Sequence, residues 1–280
     1  MAMANAYSAL KAELPRAQQA VLLANQRGWI RSRDATCADK SDRDLVGCLL
    51  AQTDQRRRYL AGEGPNRAPD APRLKPAFFG EGRDGLYYIN LVYPRIVKPR
   101  SPSEGAFNNA VHGLFLSKEA LDYARTTEPP PAWSMPGYYR ATYDVTYLDR
   151  RLAALVFSAE AYAAGAAHPH TWRESLVFDF SHGRELTFAD IIGSPAEALP
   201  AIWRECKSRL KAKLGFDPEP WPPDDPTVEG YGSLGEWAPD KAGVDIMFDD
   251  PESGNELYEC RLSWADLSPW LKPGGPLPPR

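Results

Sequence analysis

The chain has 280 residues, of which 43% are hydrophobic and 11% aromatic, with a formal net charge of −4 and a pI of about 5.7. This composition supports a folded core and excludes global disorder, and the net negative charge argues against a protein that coats nucleic acid. No run of about 18 apolar residues occurs, so the sequence predicts no membrane span. Proline occurs 27 times, at about twice its average frequency, which excludes a mostly helical bundle.

Two helices are predicted at the N-terminus. An apolar stripe with helical spacing runs through residues 5–32, and Pro15 either kinks this helix or divides it. A second helix is predicted over 41–61, and a bridge between Cys37 and Cys48 would pin the two helices at the end that they share.

A linker is predicted over residues 63–76, where glycine and proline are frequent and apolar periodicity is absent. It would separate a helical domain over 1–62 from a second domain over 77–280.

The second domain alternates between strand-like and helix-like patterns, which favours an α+β fold with an antiparallel sheet and flanking helices. Residues 217–240 are proline-rich and predicted to be irregular. Predicted strands cover 85–93, 138–148, 151–162, 174–180, 243–248 and 257–262, with Pro94 ending the first, and predicted helices cover 108–125, 200–214 and 264–271.

Charge is unevenly distributed along the chain. Residues 1–75 carry 13 lysines and arginines against 8 acidic residues, whereas residues 215–260 carry 13 acidic residues against the single base Lys241. The acidic stretch is either a solvated surface that aids solubility or a face that steers a basic protein partner toward the molecule.

Signatures of enzymes and metal sites are weak. His168 and His170 have the alternating spacing of some metal-binding strands, but the intervening Pro169 favours a hairpin loop. Paired carboxylates such as Asp224 and Asp225 give no acid–base assignment without structural context. The cysteines lack CxxC spacing. The sequence therefore predicts no catalytic residue, no metal ligand and no cofactor.

Tryptophans are frequent in the C-terminal third of the chain. They either fill the core or, if exposed, stack on sugar rings or anchor a protein interface. They are Trp221, Trp237, Trp264 and Trp270.

A series of residues in the two N-terminal helices carries a family resemblance. The pattern comprises Gln26-Arg27, Trp29, Arg33-Asp34 and Cys37, followed by Cys48-Leu49 and by Arg56 to Leu60. With this pattern, about residues 5–62 resemble the LprI-like domain of exported mycobacterial lysozyme inhibitors and of many proteobacterial envelope proteins.

A second resemblance covers about residues 76–272. It rests on Tyr93-Pro94, on Ala163 to Pro169, on Phe178-Asp179-Phe180 with Gly183 to Ile191, and on Gly243 to Phe248. This part resembles the C-terminal domain of the RsiV anti-sigma factors, which sense lysozyme. No sigma-binding segment is evident, so a signalling role does not carry over.

Both resemblances imply an exported protein, periplasmic or secreted, whose export signal is absent from this chain and has been removed. They imply two disulfides, Cys37 with Cys48 and Cys206 with Cys260, so that the fold begins with a disulfide-pinned helical hairpin. They also imply a non-enzymatic function, namely binding and inhibition of a lysozyme-type muramidase. A peptidoglycan-binding or glycan-binding envelope module is the alternative, and an accessory to a peptidoglycan deacetylase is a third.

Animal lysozymes are typically basic and have two carboxylates in their cleft, so we expect an acidic inhibitor face and a loop that occludes the cleft. The candidate loops are the hairpin around 162–172 and the acidic segment around 224–231. The partner-binding residues predicted from them are Tyr162, His168, His170, Trp172, Asp224, Asp225, Glu229 and Tyr231.

Overall fold

Helices and strands are both abundant, which confirms the predicted α+β class. The computed structural model describes residues 2–62, 68, 70–83, 85–125, 134–215, 236–249 and 257–277. The helices are α1 (Ala2–Glu13), α2 (Arg16–Cys37), α3 (Asp42–Ala61), α4 (Pro102–Phe115), α5 (Lys118–Ala124), α6 (Phe188–Ile191), α7 (Pro195–Leu214) and α8 (Trp264–Leu267). The strands are β1 (Leu74–Arg83), β2 (Tyr87–Ile96), β3 (Gly137–Leu148), β4 (Leu152–Tyr162), β5 (His170–Asp179), β6 (Arg184–Glu185), β7 (Glu236–Pro239), β8 (Gly243–Asp249) and β9 (Leu257–Ser263).

Pro15 divides the predicted first helix, and α2 begins directly after it. Proline has no N–H to continue the bonding of α1, but it is tolerated at the start of the next helix. The helix α3 ends at Gly62, whose φ of 72° is a left-handed conformation that glycine adopts without strain. The disulfide Cys37–Cys48 joins α2 to α3, as the family resemblance implied.

The main sheet has six strands in the order β1-β2-β3-β4-β5-β6. All neighbouring pairs are antiparallel except β2 and β3, which run parallel over Tyr87–Leu91 and Gly137–Ala141. The parallel pair needs a crossover, which α4 and α5 supply between the two strands. The predicted meander of β3, β4 and β5 is present. A second sheet contains β7, β8 and β9.

Several predicted boundaries are wrong. The strand predicted to end before Pro94 continues to Ile96. β3 pairs with β2 only as far as Leu91, so at Pro94 the strand has a partner on one side only, and the missing N–H of proline breaks no hydrogen bond to β3. The predicted helix 108–125 is two helices, and the first begins at Pro102, where the Ser101 side chain accepts a hydrogen bond from the Glu104 N–H. The segment predicted to be irregular up to residue 240 ends in β7.

The two faces of the main sheet carry separate hydrophobic clusters. On one face, α4 packs Phe107 and Phe115 against Phe178 and Phe157, with ring centroids 5.5 and 4.2 Å apart. On the other face, α6, α7 and the second sheet pack over β4 and β5. The disulfide Cys206–Cys260 joins α7 to β9 inside this second cluster.

The N-terminal helices pack against β1 and β2. Leu10, Leu22 and Leu60 belong to the same cluster of buried residues as Phe78 and Leu91 of the sheet. The strand β1 begins at Leu74, inside the predicted linker. The division into domains at residues 63–76 therefore remains a prediction, and the two parts share core contacts in this structure.

Candidate functional site

Residues that carry the LprI resemblance form contacts between α2 and α3. Arg56 is buried, and its guanidinium donates to Gln26 Oε1 at 3.0 Å and to Asn25 Oδ1. The Trp29 ring lies between Arg56 and Arg33, whose guanidinium carbons are 5.7 and 5.2 Å from the ring centroid. Cation–π contacts and hydrogen bonds to a buried cation hold α2 and α3 together. This cluster has a structural role.

The outward side of α3 presents an apolar surface. Val46 is 56% exposed and Leu50 is 66% exposed, one helical turn apart. Side chains separated by four residues lie on one face of a helix, so these two form a continuous patch. This patch is a second candidate for a partner contact.

Tyr162, a predicted partner-binding residue, is buried at the base of the loop between β4 and β5. Its hydroxyl lies 2.8 Å from Ser134 Oγ and donates to the Ala166 carbonyl at 3.1 Å. Ser134 Oγ also accepts from the Gly165 N–H at 2.9 Å. Tyr162 therefore fixes the shape of the hairpin loop and is not available as a contact surface.

The other predicted residues of this hairpin form an exposed aromatic edge. His168 and His170 are exposed. The His170 ring stacks on Trp172 at 5.3 Å, and Trp172 stacks on Tyr139 at 5.8 Å. The Trp172 indole N–H donates to Glu174 Oε1 at 2.9 Å. Because His170 stacks on Trp172 and Trp172 stacks on Tyr139, the imidazole is held in a fixed position at the edge of the sheet.

The remaining predicted partner-binding residues lie outside the described part of the chain. They are Asp224, Asp225, Glu229 and Tyr231. In the described ranges, no group of three or more His, Cys, Asp or Glu side chains could hold a metal ion.

Within the acidic segment, the described residues resume at Glu236, which is hydrogen-bonded to β5. The Glu236 carboxylate accepts hydrogen bonds from the Ser175 N–H and from Ser175 Oγ, the latter at 2.7 Å. Ser175 Oγ accepts in turn from the Trp237 N–H at 3.0 Å. Ser175 and Trp172 point to opposite faces of β5, because side chains alternate along a strand. Trp172 packs with the cluster on the α4 side, whereas Val177, on the same face as Ser175, belongs to the second cluster. Glu236 is therefore attached to β5 on the face opposite the aromatic edge.

A strip of exposed polar side chains runs along one face of β3. Arg140, Thr142 and Asp144 alternate with buried residues and are all exposed. The strip was not singled out from the sequence, although the alternation in YYRATYDVTYL is the signal that encodes it.

At one end of the strip, three tyrosine rings stack across β2, β3 and β4. Tyr138 lies 5.4 Å from Tyr88 and 5.7 Å from Tyr162. Arg140 lies over the Tyr138 ring and donates to Glu160 Oε1 at 2.8 Å. Burial, together with the hydrogen bond to Glu160, raises the pKa of Tyr138 to about 12.

The tryptophans of the C-terminal third that the structure describes are packed into the second cluster. Trp237 is buried, and Trp264 and Trp270 pack against the same cluster while partly exposed. Trp221 lies outside the described residues. No exposed indole platform exists among the described positions of this group.

The fold and site define an α+β protein with a disulfide-linked helical hairpin seated on a mixed sheet and an aromatic edge on β5. None of the helices in the described ranges is both long and apolar enough to cross a membrane. Residues 1–60 match a family model described as lysozyme inhibitor LprI. No curated protein matches the chain.

The solved structures that are similar to the chain include two from the DUF3298 family. A member of the DUF3298 family from Bacteroides fragilis aligns with a TM-score of 0.47 at 15% identity, covering 73% of this chain and 96% of that one. A DUF3298 family protein from Pseudomonas aeruginosa aligns with a TM-score of 0.49 at 15% identity, covering 71% of this chain and 95% of that one.

Proposed function

We propose that this protein is an extracytoplasmic, non-enzymatic protein that binds a lysozyme-type muramidase and inhibits it. The match of residues 1–60 to the family of lysozyme inhibitors carries this proposal. The two disulfides support an oxidising, extracytoplasmic compartment, since disulfides rarely persist in a reducing cytosol.

We place the muramidase contact at the hairpin between β4 and β5. The exposed His168 and His170 are the polar groups of this edge, and Trp172 supports His170 through ring stacking. When protonated, an imidazole donates two hydrogen bonds, which suits a cleft that contains carboxylates. The charge of the acidic segment would raise the rate of encounter with a basic partner, and this effect would weaken with salt.

The helical hairpin offers the competing contact, because the family match lies there. Its exposed apolar patch is Val46 and Leu50. An apolar contact would change little with salt, whereas an acidic face would lose association rate as ionic strength rises. The two surfaces can therefore be told apart by single variants and by salt dependence.

Inhibition of a basic animal lysozyme is the direct test. The purified protein with intact disulfides is titrated into a cell-wall lysis assay, and association is followed at low and high salt. We expect the double variant His168→Ala with His170→Ala to weaken inhibition about tenfold, and Leu50→Asp to leave it unchanged. The reverse pattern would move the contact to α3. No inhibition and no binding at about micromolar concentration would refute the proposal.

Retention on insoluble peptidoglycan, measured with the same preparation, distinguishes the glycan-binding alternative. Retention without any effect on lysozyme would favour a glycan-binding module. Because the described tryptophans of the C-terminal third pack into the core, we expect no such retention.

A further inference from the structure

A cavity separates α3 from the second half of β3. β3 pairs with β2 only as far as Ala141, and beyond that point α3 and β3 line the cavity from opposite sides. The cavity has a volume of about 410 Å³. It is lined by Ala51, Asp54, Gln55, Arg58, Tyr59, Gly62, Leu74, Tyr143, Asp144, Val145 and Leu148.

Most of the wall is apolar. Leu74, Val145 and Leu148 contribute aliphatic side chains, and the rings of Tyr59 and Tyr143 lie 5.4 Å apart. Pockets that bind small molecules typically have volumes of about 300–1,000 Å³ and apolar walls with a few directed polar groups. This cavity has the size and wall chemistry of such a pocket.

Asp144 supplies a carboxylate at this site. Asp144 is exposed and therefore reachable, and desolvation by its surroundings raises the pKa of its carboxyl, an effect that the charge of Arg173 partly offsets. Among the described residues, none donates a hydrogen bond to this carboxylate, and Arg173 is ion-paired with Glu259.

Tyr59 supplies a second polar group. Its hydroxyl oxygen is buried and has no well-oriented hydrogen-bond partner in the described part of the chain, although Thr142 and Tyr143 are close enough to influence its pKa. A buried hydroxyl without a partner costs free energy that a ligand atom would recover.

At the rim, Asp54 pairs with Arg58 at 2.6 Å and with Arg57 at 3.0 Å. Asp54 is thus engaged by two guanidiniums, and Asp144 is the carboxylate of the lining that has no ion pair among the described residues. A cation would satisfy Asp144, whereas an anion would be repelled by it.

We propose that this cavity binds a small organic cation with an apolar body, whose ammonium group pairs with Asp144 while its hydrocarbon part lies against Leu74, Val145 and Leu148. The site lies at the opposite end of β3 from Tyr138, which pairs with Tyr162 of the loop-bearing strand. Six residues separate Tyr138 from Asp144, about 20 Å along the strand. The proposal does not depend on muramidase binding.

Three probes of equal chain length separate charge from hydrophobicity: octylamine, 1-octanol and octanoate. Binding is measured by calorimetry on the full chain at neutral pH, and the location by changes in the amide NMR signals of α3 and β3. We expect octylamine to bind about tenfold more tightly than octanol, and octanoate more weakly than both.

Variants of the cavity test whether the carboxylate of Asp144 and the cavity itself are responsible for binding. Asp144→Asn should reduce octylamine affinity to that of octanol, while Asp39→Asn, at an exposed carboxylate between α2 and α3, should change nothing. Ala51→Phe, which fills the cavity from an exposed helical position, should abolish binding of both probes. Equal affinity for the three probes, an equal effect of the two Asp variants, or no shift of the cavity amides would overturn the proposal. Inhibition of lysozyme should be unaffected by saturating octylamine.

Discussion

Gly80 of β1 lies so close to Val21 of α2 that a Cβ atom at Gly80 would stand 2.1 Å from Val21 Cγ2. No pair of non-bonded carbon atoms tolerates that separation, so the absence of a side chain at Gly80 sets how closely the helical hairpin approaches the sheet. Val21 itself belongs to the shared core, since it is only 8% exposed, whereas Gly80 lies at the exposed end of the contact. A glycine inside a strand is here a packing requirement.

Gly80→Ala should therefore destabilise the protein, by about 1–3 kcal/mol, because the added methyl group displaces α2. Val21→Ala removes the colliding methyl groups and should restore part of that loss when combined with Gly80→Ala. Urea unfolding of the two single variants and the double variant measures the coupling. Additive losses would show that the two positions do not meet.

Local pattern predicted most of the fold because most elements have their own periodicity. Prediction failed where pairing between distant strands sets the end of an element. Pro94 can remain in a strand only because β3 stops pairing with β2 after Leu91. The short strand β7 has no internal pattern and is defined by its pairing with β8 and its bonds to Ser175.

The two disulfides should contribute unequally to stability. Cys37–Cys48 closes a separation of 11 residues and Cys206–Cys260 one of 54. In the chain-entropy description, replacing each pair by alanine costs about 3 kcal/mol for the short loop and about 4 kcal/mol for the long one. Urea denaturation without reductant measures both. A larger loss from the short loop would indicate that packing of the hairpin, rather than loop entropy, dominates.

Asp190 should make stability depend on pH in acid. Its carboxylate accepts hydrogen bonds from Arg184 at 2.7 and 3.0 Å and from the Thr187 N–H at 2.8 Å. The Arg184 guanidinium, followed by the Thr187 groups, holds the pKa of Asp190 below its usual range. Since the folded pKa is lower than the unfolded one, the stabilisation is complete above about pH 4 and is lost as the pH falls through the lowered value.

Asp190→Asn should accordingly cost about 1–2 kcal/mol at pH 7 and much less near pH 2, measured by urea unfolding at both values. Glu197→Gln, in the first turn of α7, is the matched control because it removes a carboxylate of the next helix. An equal loss at both pH values would show that the carboxylate charge of Asp190 is not responsible.

The candidate site was only partly accessible from the sequence. His170 and Trp172 could be singled out because they lie next to a predicted hairpin. The cavity could not be found, since α3 and β3 are distant in the chain and no local spacing records that Tyr59 and Tyr143 meet. The sequence does not reveal that Tyr162 is buried at the base of the loop, because its contact with Ser134 joins positions 28 residues apart.

Ser175 should control the attachment of β7. Its hydroxyl donates to Glu236 and accepts from the Trp237 N–H. Ser175→Ala leaves that N–H without its acceptor in a buried position, which should cost about 1–3 kcal/mol and speed hydrogen exchange of the Trp237 amide. Ser158→Ala on the same face of the sheet serves as the control, because no described residue hydrogen-bonds its side chain. Unchanged exchange at Trp237 would mean that β7 is held by its pairing with β8 and not by Ser175.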